Sequence, residues 1–267
     1  MGKVCAYCNS SSRKLTGEHI YPYGLISKFP EFDHVFFEGG KAIPLSPKKQ
    51  VVKDVCKSCN NVALSKLDDY GNAFILKYFS KDISPKEEIS IEYNQLVLSK
   101  WVMKILYNGT RQGKSSNWLK QNAKYIIGED SEATSKYSLF LGSYVKLGAM
   151  MGMPFSGIAN PKIFLAGKPF GKEPDLYENE NVEVIYLLRL MNAIFVLVCW
   201  KENKWTFSEE EDLARLLPHS LLKEDQDSAV ILRVTDVINS AHHYLVSSKR
   251  AQYDHDMMMK MMQFGLF

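Results

Sequence analysis

The spacing of apolar positions predicts a helical region that begins near residue 60. Apolar side chains there recur mainly at intervals that place them on one helix face. We expect Gly71 to kink or break the first helix and Asn108-Gly109 to end the second. The predicted helices cover residues 60–79, 93–107 and 116–127.

From residue 137 onward the pattern changes to short apolar runs, which are typical of β-strands. Met191-Asn192 lies between two of these runs and predicts a hairpin turn. Ser208-Glu209-Glu210-Glu211 predicts a helix start, because a capping hydroxyl and first-turn acids complement the free N–H groups. The last thirty residues are predicted to be helical. Strands are predicted over residues 137–145, 163–165, 182–190, 193–200 and 229–237.

The N-terminal part has short apolar runs separated by turn-forming residues. Residues 34–37 and 51–55 are predicted to be strands that flank the connection 39–47. Such a small unit has little hydrophobic core of its own and needs a cross-link, such as a bound metal ion, to be stable.

The best linker candidate, residues 82–88, divides the chain into residues 1–81 and residues 82–267. We therefore predict an α+β protein with a small N-terminal domain and a larger α+β domain. Recognition, sensing or homo-oligomer formation are the roles open to the second domain.

Composition is ordinary for a globular protein, with 46% apolar and 24% charged residues. No apolar run approaches the roughly 18–20 residues of a membrane-spanning helix, and the N-terminus has no signal-peptide pattern. We therefore expect a cytoplasmic protein without membrane association. Residues 1–81 hold 12 Lys and Arg against 7 Asp and Glu, so the basic excess would attract a polyanion to the N-terminal part.

Four of the five cysteines form two Cys-x-x-Cys pairs, Cys5–Cys8 and Cys56–Cys59. An odd count argues against a disulfide framework, and paired cysteines in a reducing compartment more often bind metal. The two pairs can close a tetrahedral thiolate zinc site, which would contribute folding free energy. Cys199 lies in an apolar run and is expected to be a buried core thiol.

A Gly17-Glu18-His19-Ile20-Tyr21-Pro22 segment lies between the pairs, and Asn60-Asn61 follows the second pair. Together with Cys5-Ala6-Tyr7-Cys8 and Cys56-Lys57-Ser58-Cys59, these residues resemble an HNH endonuclease domain of the ββα-metal fold, in the subset with a four-cysteine zinc site. The specific resemblance covers residues 5–61, about a fifth of the chain, and a weaker one extends to about residue 110.

The resemblance implies a role for each matching residue. His19 would be the general base that takes a proton from the attacking water. Glu18 and Asn60 would hold a catalytic divalent ion, Mg²⁺ or Mn²⁺, through oxygen atoms. The zinc ligands would be Cys5, Cys8, Cys56 and Cys59. Candidates for phosphate contacts are Lys53, Lys57 and Lys66.

The sequence departs from the family pattern at one position. The family usually has an Asn shortly before the second cysteine pair, which orients the catalytic histidine, but residues 51–55 contain none. Asp54 or a backbone carbonyl is then left as the candidate for orienting His19.

The leading hypothesis is a metal-dependent endonuclease acting on double-stranded DNA. A non-catalytic zinc module that binds nucleic acid or protein, and a nuclease that cleaves RNA, remain as alternatives. A role in bacterial restriction or phage defence fits only by analogy. Outside the motif, His34 is expected to be structural. His242-His243 with Asp254-His255-Asp256 is interpreted as a solvated face rather than a second metal cluster.

Overall fold

The computed structural model describes a mixed helix-and-sheet chain, which confirms the α+β class. It covers residues 4–11, 14–28, 34–38, 41–45, 50–81, 83, 87–111, 117–145, 163–169, 180–217 and 219–235. The strands are β1 Leu15–His19, β2 His34–Glu38, β3 Lys41–Leu45, β4 Val51–Cys56, β5 Ile89–Glu92, β6 Tyr137–Val145, β7 Ile163–Pro169, β8 Val182–Leu190, β9 Ala193–Trp200, β10 Ser220–Leu221 and β11 Ser228–Thr235. The helices are α1 Tyr23–Ile26, α2 Ser65–Tyr78, α3 Gln95–Thr110, α4 Asn117–Gln121, α5 Ala123–Ile127 and α6 Phe207–Leu216, and a π-helical turn, Cys59–Leu64, leads directly into α2.

The N-terminal part contains a two-stranded antiparallel sheet of β1 and β4. Glu18 pairs with Val52 and His19 with Val51, and the register shifts at the bulge next to Gly17. The strands predicted at residues 34–37 and 51–55 are both present, but they do not pair with each other. Residues 34–38 pair instead with residues 41–45 in a separate hairpin, so the strand beside β4 is the one that carries the Glu-His pair.

Nine of the described strands form a second, larger sheet. Its order is β3-β2-β7-β8-β9-β6-β11-β5, with β10 paired to β6 at the side. The β8–β9 hairpin turns at Met191 and Asn192, which confirms the predicted turn. Predicted strands at residues 137–145, 163–165, 182–190 and 193–200 are confirmed. The strand predicted at residues 229–237 is confirmed up to Thr235, the last described residue.

The central strands are buried on both faces, which explains their nearly continuous apolar sequence. Alternate residues of β9 enter different cores, Phe195 on one side and Val196 on the other. Helix α3 covers the first face, where the Trp101 ring meets the edge of Phe195 with centroids 6.2 Å apart. Helix α6 covers the second face through Leu213.

Three details of the helices differ from expectation. Helix α2 runs through Gly71 without a break. The glycine has a packing role there, since the missing side chain makes room for the Trp101 ring. Helix α3 continues through Asn108 and Gly109 to Thr110. The buried Asn108 side chain forms hydrogen bonds with the Tyr7 hydroxyl and the His19 carbonyl. Helix α6 is capped by Thr206, whose hydroxyl accepts from the Glu209 N–H at 3.2 Å, rather than by Ser208.

Residues 116–127 form two short helices, α4 and α5, rather than one. The intervening Asn122 bonds through its side-chain amide to the carbonyl of Trp118 and to Thr134, and its Oδ1 accepts from the Thr134 N–H.

One core cluster contains residues from both sides of the predicted boundary at residues 81 and 82. It includes Tyr7 and Leu25 as well as Trp101 and Phe195. Strand β2 also pairs in parallel with β7. The division into two domains stays a prediction.

Within the described residues, none of the helices combines the length and the apolar character needed to cross a membrane. The predicted C-terminal helix and the residues of the second histidine group lie outside the described part of the chain.

Candidate metal centre and the Glu-His strand

The four cysteines of the two pairs come together near the N-terminus. The thiol sulfurs of Cys5, Cys8, Cys56 and Cys59 all lie within 4.8 Å of one another. The Sγ atoms of Cys8 and Cys56 are 3.8 Å apart. A tetrahedral zinc ion with Zn–S bonds of about 2.3 Å separates its sulfurs by about 3.8 Å, so the cluster could hold a metal ion such as zinc.

Local backbone structure brings the two pairs together. The first pair lies on a tight turn in which the Cys5 N–H donates to Ser10 O at 3.0 Å and Asn9 adopts a left-handed φ of 57°. The Ala6 N–H donates to Asp54 O at 2.8 Å and attaches this turn to β4. The second pair spans the end of β4 and the start of the π-helical turn.

The donor set is chemically suited to a metal ion. The Cys56 N–H points at Cys5 Sγ at 3.3 Å, and the Cys59 N–H points at Cys56 Sγ at 3.5 Å, contacts that favour thiolate sulfur. Burial, together with the crowding of neighbouring thiols, raises the pKa of Cys59. Burial also raises the pKa of Cys8. A bound cation offsets these costs, because metal ligation stabilises the deprotonated form.

Glu18 lies inside the protein rather than at the surface. Its residue is 6% exposed, and its Oε1 lies 2.5 Å from the Lys104 ammonium of α3. The same ammonium contacts both carboxylate oxygens of Asp68 on α2, at 2.8 and 2.7 Å. Burial raises the pKa of Glu18, although the charge of Lys104 opposes that shift. The Glu18 carboxylate therefore already has a cationic partner.

His19 is half-buried and occupies the next position on β1, so its side chain leaves the opposite face of the strand. Its imidazole packs on the ring of Tyr23, with centroids 5.1 Å apart and planes tilted by 38°. Tyr23 is itself 63% exposed. The imidazole thus lies beside an aromatic ring that is open to solvent.

Asn60 reaches β1 from the π-helical turn. Its side-chain amide donates to the Thr16 hydroxyl at 3.0 Å and to the Gly17 carbonyl at 2.9 Å. These bonds hold the bulge that precedes Glu18. The residue after the last cysteine is therefore bonded to the Glu-His strand, and its described contacts are to the backbone and a hydroxyl.

The predicted catalytic residues differ in where their side chains point. Glu18 points into the core and His19 to the other face, while Asn60 bonds to the two residues that precede Glu18. In the part of the chain that the structure describes, the four cysteines are the one group of three or more Cys, His, Asp or Glu side chains placed to hold a metal ion.

Asp54, the candidate for orienting His19, is used elsewhere. Its carboxylate pairs with the guanidinium of Arg111, which is 5% exposed and follows the end of α3. The guanidinium also lies over the rings of Tyr7 and Tyr107, at 5.9 and 5.3 Å from the centroids. Asp54 therefore fastens β4 to α3.

Sequence reasoning missed that α3 contributes to this region. Asn108 donates from Nδ2 to the backbone carbonyl of His19 at 3.1 Å, and Lys104 binds Glu18. The signal available in the sequence was the presence of Lys104 and Asn108 four residues apart, on either side of the apolar run 105–107. Polar residues at core positions of a helix indicate internal partners.

No protein-family model, curated protein or solved structure matches this chain.

Proposed function

We propose that this chain is an endonuclease of the HNH type that hydrolyses phosphodiester bonds in DNA, with His19 as the general base. The observation that carries the proposal is the bonding of Asn60 to β1, because it links the four-cysteine cluster to the strand that bears His19. Two antiparallel strands followed by a helix, with thiols at both ends, support the expected ββα-metal arrangement.

His19 suits the task of a general base. Histidines exchange protons near neutral pH, and the half-buried imidazole of His19 forms no ion pair with another described residue. The Ile20 N–H donates to Gln50 O at 2.9 Å, which extends the β1–β4 pairing past His19 and fixes its backbone. A rigid backbone limits the positions from which the imidazole can take a proton from water.

The expected catalytic Mg²⁺ or Mn²⁺ fits the structure only in part. Asn60 lies at the surface side of β1 and offers an amide oxygen. Glu18 does not fit, since the Lys104 ammonium already occupies the position of a cation beside its Oε1. We therefore assign Glu18 a structural role in this arrangement and place no catalytic step on a divalent ion.

The charge distribution supports a polyanionic substrate. Lys104 of α3 neutralises Glu18 and Asp68, and Arg111, which follows α3, neutralises Asp54. Among the exposed lysines described within residues 1–81, Lys77 pairs with Glu92. The others form no ion pair with another described residue; they are Lys14, Lys28, Lys53, Lys57, Lys66 and Lys81. The unit thus keeps its positive charges at the surface, where phosphates can bind.

Cleavage of supercoiled plasmid by the purified full chain tests the proposal. The assay is run with Mg²⁺, with Mn²⁺ and with chelator, on double-stranded DNA, single-stranded DNA and RNA. We expect scission of DNA by the wild type and loss of at least about 100-fold in rate for His19→Ala, since general bases contribute about 10²–10⁴-fold. The variant should keep its zinc and its unfolding temperature. No scission by the wild type, or an unchanged rate in His19→Ala, would refute the proposal.

The lysine surface is tested by removing charge in two matched triple variants. One variant carries Lys53→Gln, Lys57→Gln and Lys66→Gln, and its control carries Lys77→Gln, Lys120→Gln and Lys124→Gln. We expect only the first to weaken DNA binding and to flatten its dependence on salt, by about one unit of logarithmic slope for each lost phosphate contact. Equal effects of the two variants would argue against this surface.

A non-catalytic zinc module is the second candidate, and the pairing of Glu18 with Lys104 favours it. A carboxylate held by a buried ammonium is not free for metal chemistry. This candidate predicts salt-sensitive binding of DNA without strand scission, and the same plasmid assay separates the two functions. Cleavage of RNA alone would identify the third, an RNA nuclease.

A further inference from the structure

Asn108 of α3 contacts the backbone of the proposed general base. Its Nδ2 donates to the His19 carbonyl at 3.1 Å and lies 3.5 Å from Glu18 Oε1. The residue is 2% exposed, so water does not compete for these bonds. We propose that Asn108 is the positioning residue of His19, an inference that rests on the proposed nuclease function.

The amide of Asn108 is held in one orientation. Its Oδ1 accepts from the Tyr7 hydroxyl at 2.7 Å and from Arg111 Nη1 at 2.6 Å. The guanidinium of Arg111 can only donate, so the oxygen must face it and the nitrogen must face His19. The direction of the bond to the His19 carbonyl is thereby fixed.

The partners of Asn108 connect His19 to the cysteine cluster. Tyr7 lies within the first Cys-x-x-Cys pair, and its ring meets that of Tyr107 edge-on at 5.2 Å. Arg111 in turn binds Asp54 on β4. A continuous series of contacts thus runs from the metal-binding turn through Asn108 to β1.

A buried hydrogen-bond network lowers the stability of the fold unless every polar group in it has a partner. If the buried amide of Asn108 rotated away from one partner, that partner would be left without a hydrogen bond. The arrangement in which all partners are bonded is therefore strongly favoured. Asn108 therefore takes over, from outside the motif, the orienting task for which residues 51–55 offer no Asn. It touches the backbone of His19 and not the reacting atoms.

The test compares two buried asparagines. Asn108→Asp removes the donor to His19, and Asn122→Asp is the matched control, since Asn122 is 1% exposed but bonds to Thr134 and Trp118. With the wild type cleaving DNA, Asn108→Asp should lower kcat by about 10–100-fold at unchanged KM, because misplacing a catalytic group costs that much. Asn122→Asp should leave both constants unchanged.

A second pair of variants, with milder substitutions, serves if Asn108→Asp does not fold. Tyr7→Phe removes the hydroxyl that orients Asn108, whereas Tyr125→Phe removes a buried hydroxyl that pairs with the Tyr137 hydroxyl at 2.8 Å, outside this network. We expect a lower kcat for Tyr7→Phe only. Equal kcat values in both comparisons would overturn the inference and leave the nuclease proposal standing.

A spectroscopic measurement separates the inference from the activity. The carbonyl ¹³C resonance of His19, observed through the amide of Ile20, reports the hydrogen bond that this carbonyl accepts. It should move upfield in Asn108→Asp and stay in place in Asn122→Asp. If the wild type cleaves no nucleic acid, the nuclease proposal fails, and this resonance still decides whether Asn108 holds His19. An unmoved resonance would overturn the inference.

Discussion

Lys104 Nζ lies 2.5 Å from Glu18 Oε1, and this contact joins α3 to the strand that carries the Glu-His pair. The lysine side chain is fully buried, and the Glu18 side chain is 8% exposed. Asp68 of α2, which also accepts from Trp101 Nε1 at 3.2 Å, binds the same ammonium. One buried cation thus fastens β1 and α2 to α3.

Removing this cation should destabilise the fold strongly. In Lys104→Met the carboxylates of Glu18 and Asp68 lose their shared partner inside the protein. Breaking one side of a buried ion pair costs about 3–5 kcal/mol, because the remaining charge is left uncompensated. We expect a loss of that size in the free energy of unfolding, measured by urea denaturation.

A matched control for this variant lies one turn earlier on the same helix. Lys100 lies 4.3 Å from the ring centroid of Tyr125 and forms no buried ion pair with a described residue. Lys100→Met should cost at most about 1 kcal/mol. Equal losses in Lys100→Met and Lys104→Met would show that the pairing with Glu18 and Asp68 contributes little.

The four-cysteine cluster predicts that the purified chain binds zinc through these thiols. Mass spectrometry of metal content should find zinc in the wild type and little in Cys8→Ser, whereas Cys199→Ser should keep it, since Cys199 lies on β9 away from the cluster. With free zinc at 1,000 times its dissociation constant, binding adds about 4 kcal/mol to the stability, so chelation should lower the unfolding temperature. Zinc that remains bound in Cys8→Ser would contradict the assignment.

The cysteine cluster and most strands followed from local sequence patterns. The spacing of the two Cys-x-x-Cys pairs and the apolar runs of β8 and β9 each depend on neighbouring residues, and both were recognised. The partner of β4 was missed, because strand pairing depends on which distant segment covers the same core. The contribution of Lys104 and Asn108 was missed for the same reason, since both act across at least 86 residues of chain.

Gly71 gives a third prediction, which reverses the expected role of that residue. A Cβ at this position would lie 2.0 Å from Trp101 Cε2 and 2.1 Å from Cδ2. The Trp101 ring cannot move away easily, because its Nε1 binds Asp68 and the ring packs against Phe195 in a T-shaped contact. Glycine is therefore present for close packing of α2 on α3 rather than for a kink.

Gly71→Ala should consequently destabilise the protein by about 1–3 kcal/mol, the usual cost of overpacking, even though alanine is the better helix former. Gly24→Ala is the matched control, since its Cβ would meet the Asn72 side-chain nitrogen at 2.9 Å, and that side chain can rotate. Thermal and urea unfolding measure both variants. An alanine at residue 71 that stabilises the chain would rule out the close packing.

His219 predicts a specific acid sensitivity of the fold. The residue is 1% exposed, neither ring nitrogen has a hydrogen-bond partner among the described residues, and burial lowers its pKa to about 3. An unfolded histidine titrates near pH 6.5, so above that pH both states are neutral and His219 adds no pH dependence. As the pH falls from about 6.5 towards 3, only the unfolded state gains the proton, and the free energy of unfolding falls by about 1.4 kcal/mol per pH unit. Urea titrations across this range should show a shallower loss in His219→Leu than in the wild type. Parallel curves for wild type and His219→Leu would mean that His219 is protonated in the folded protein.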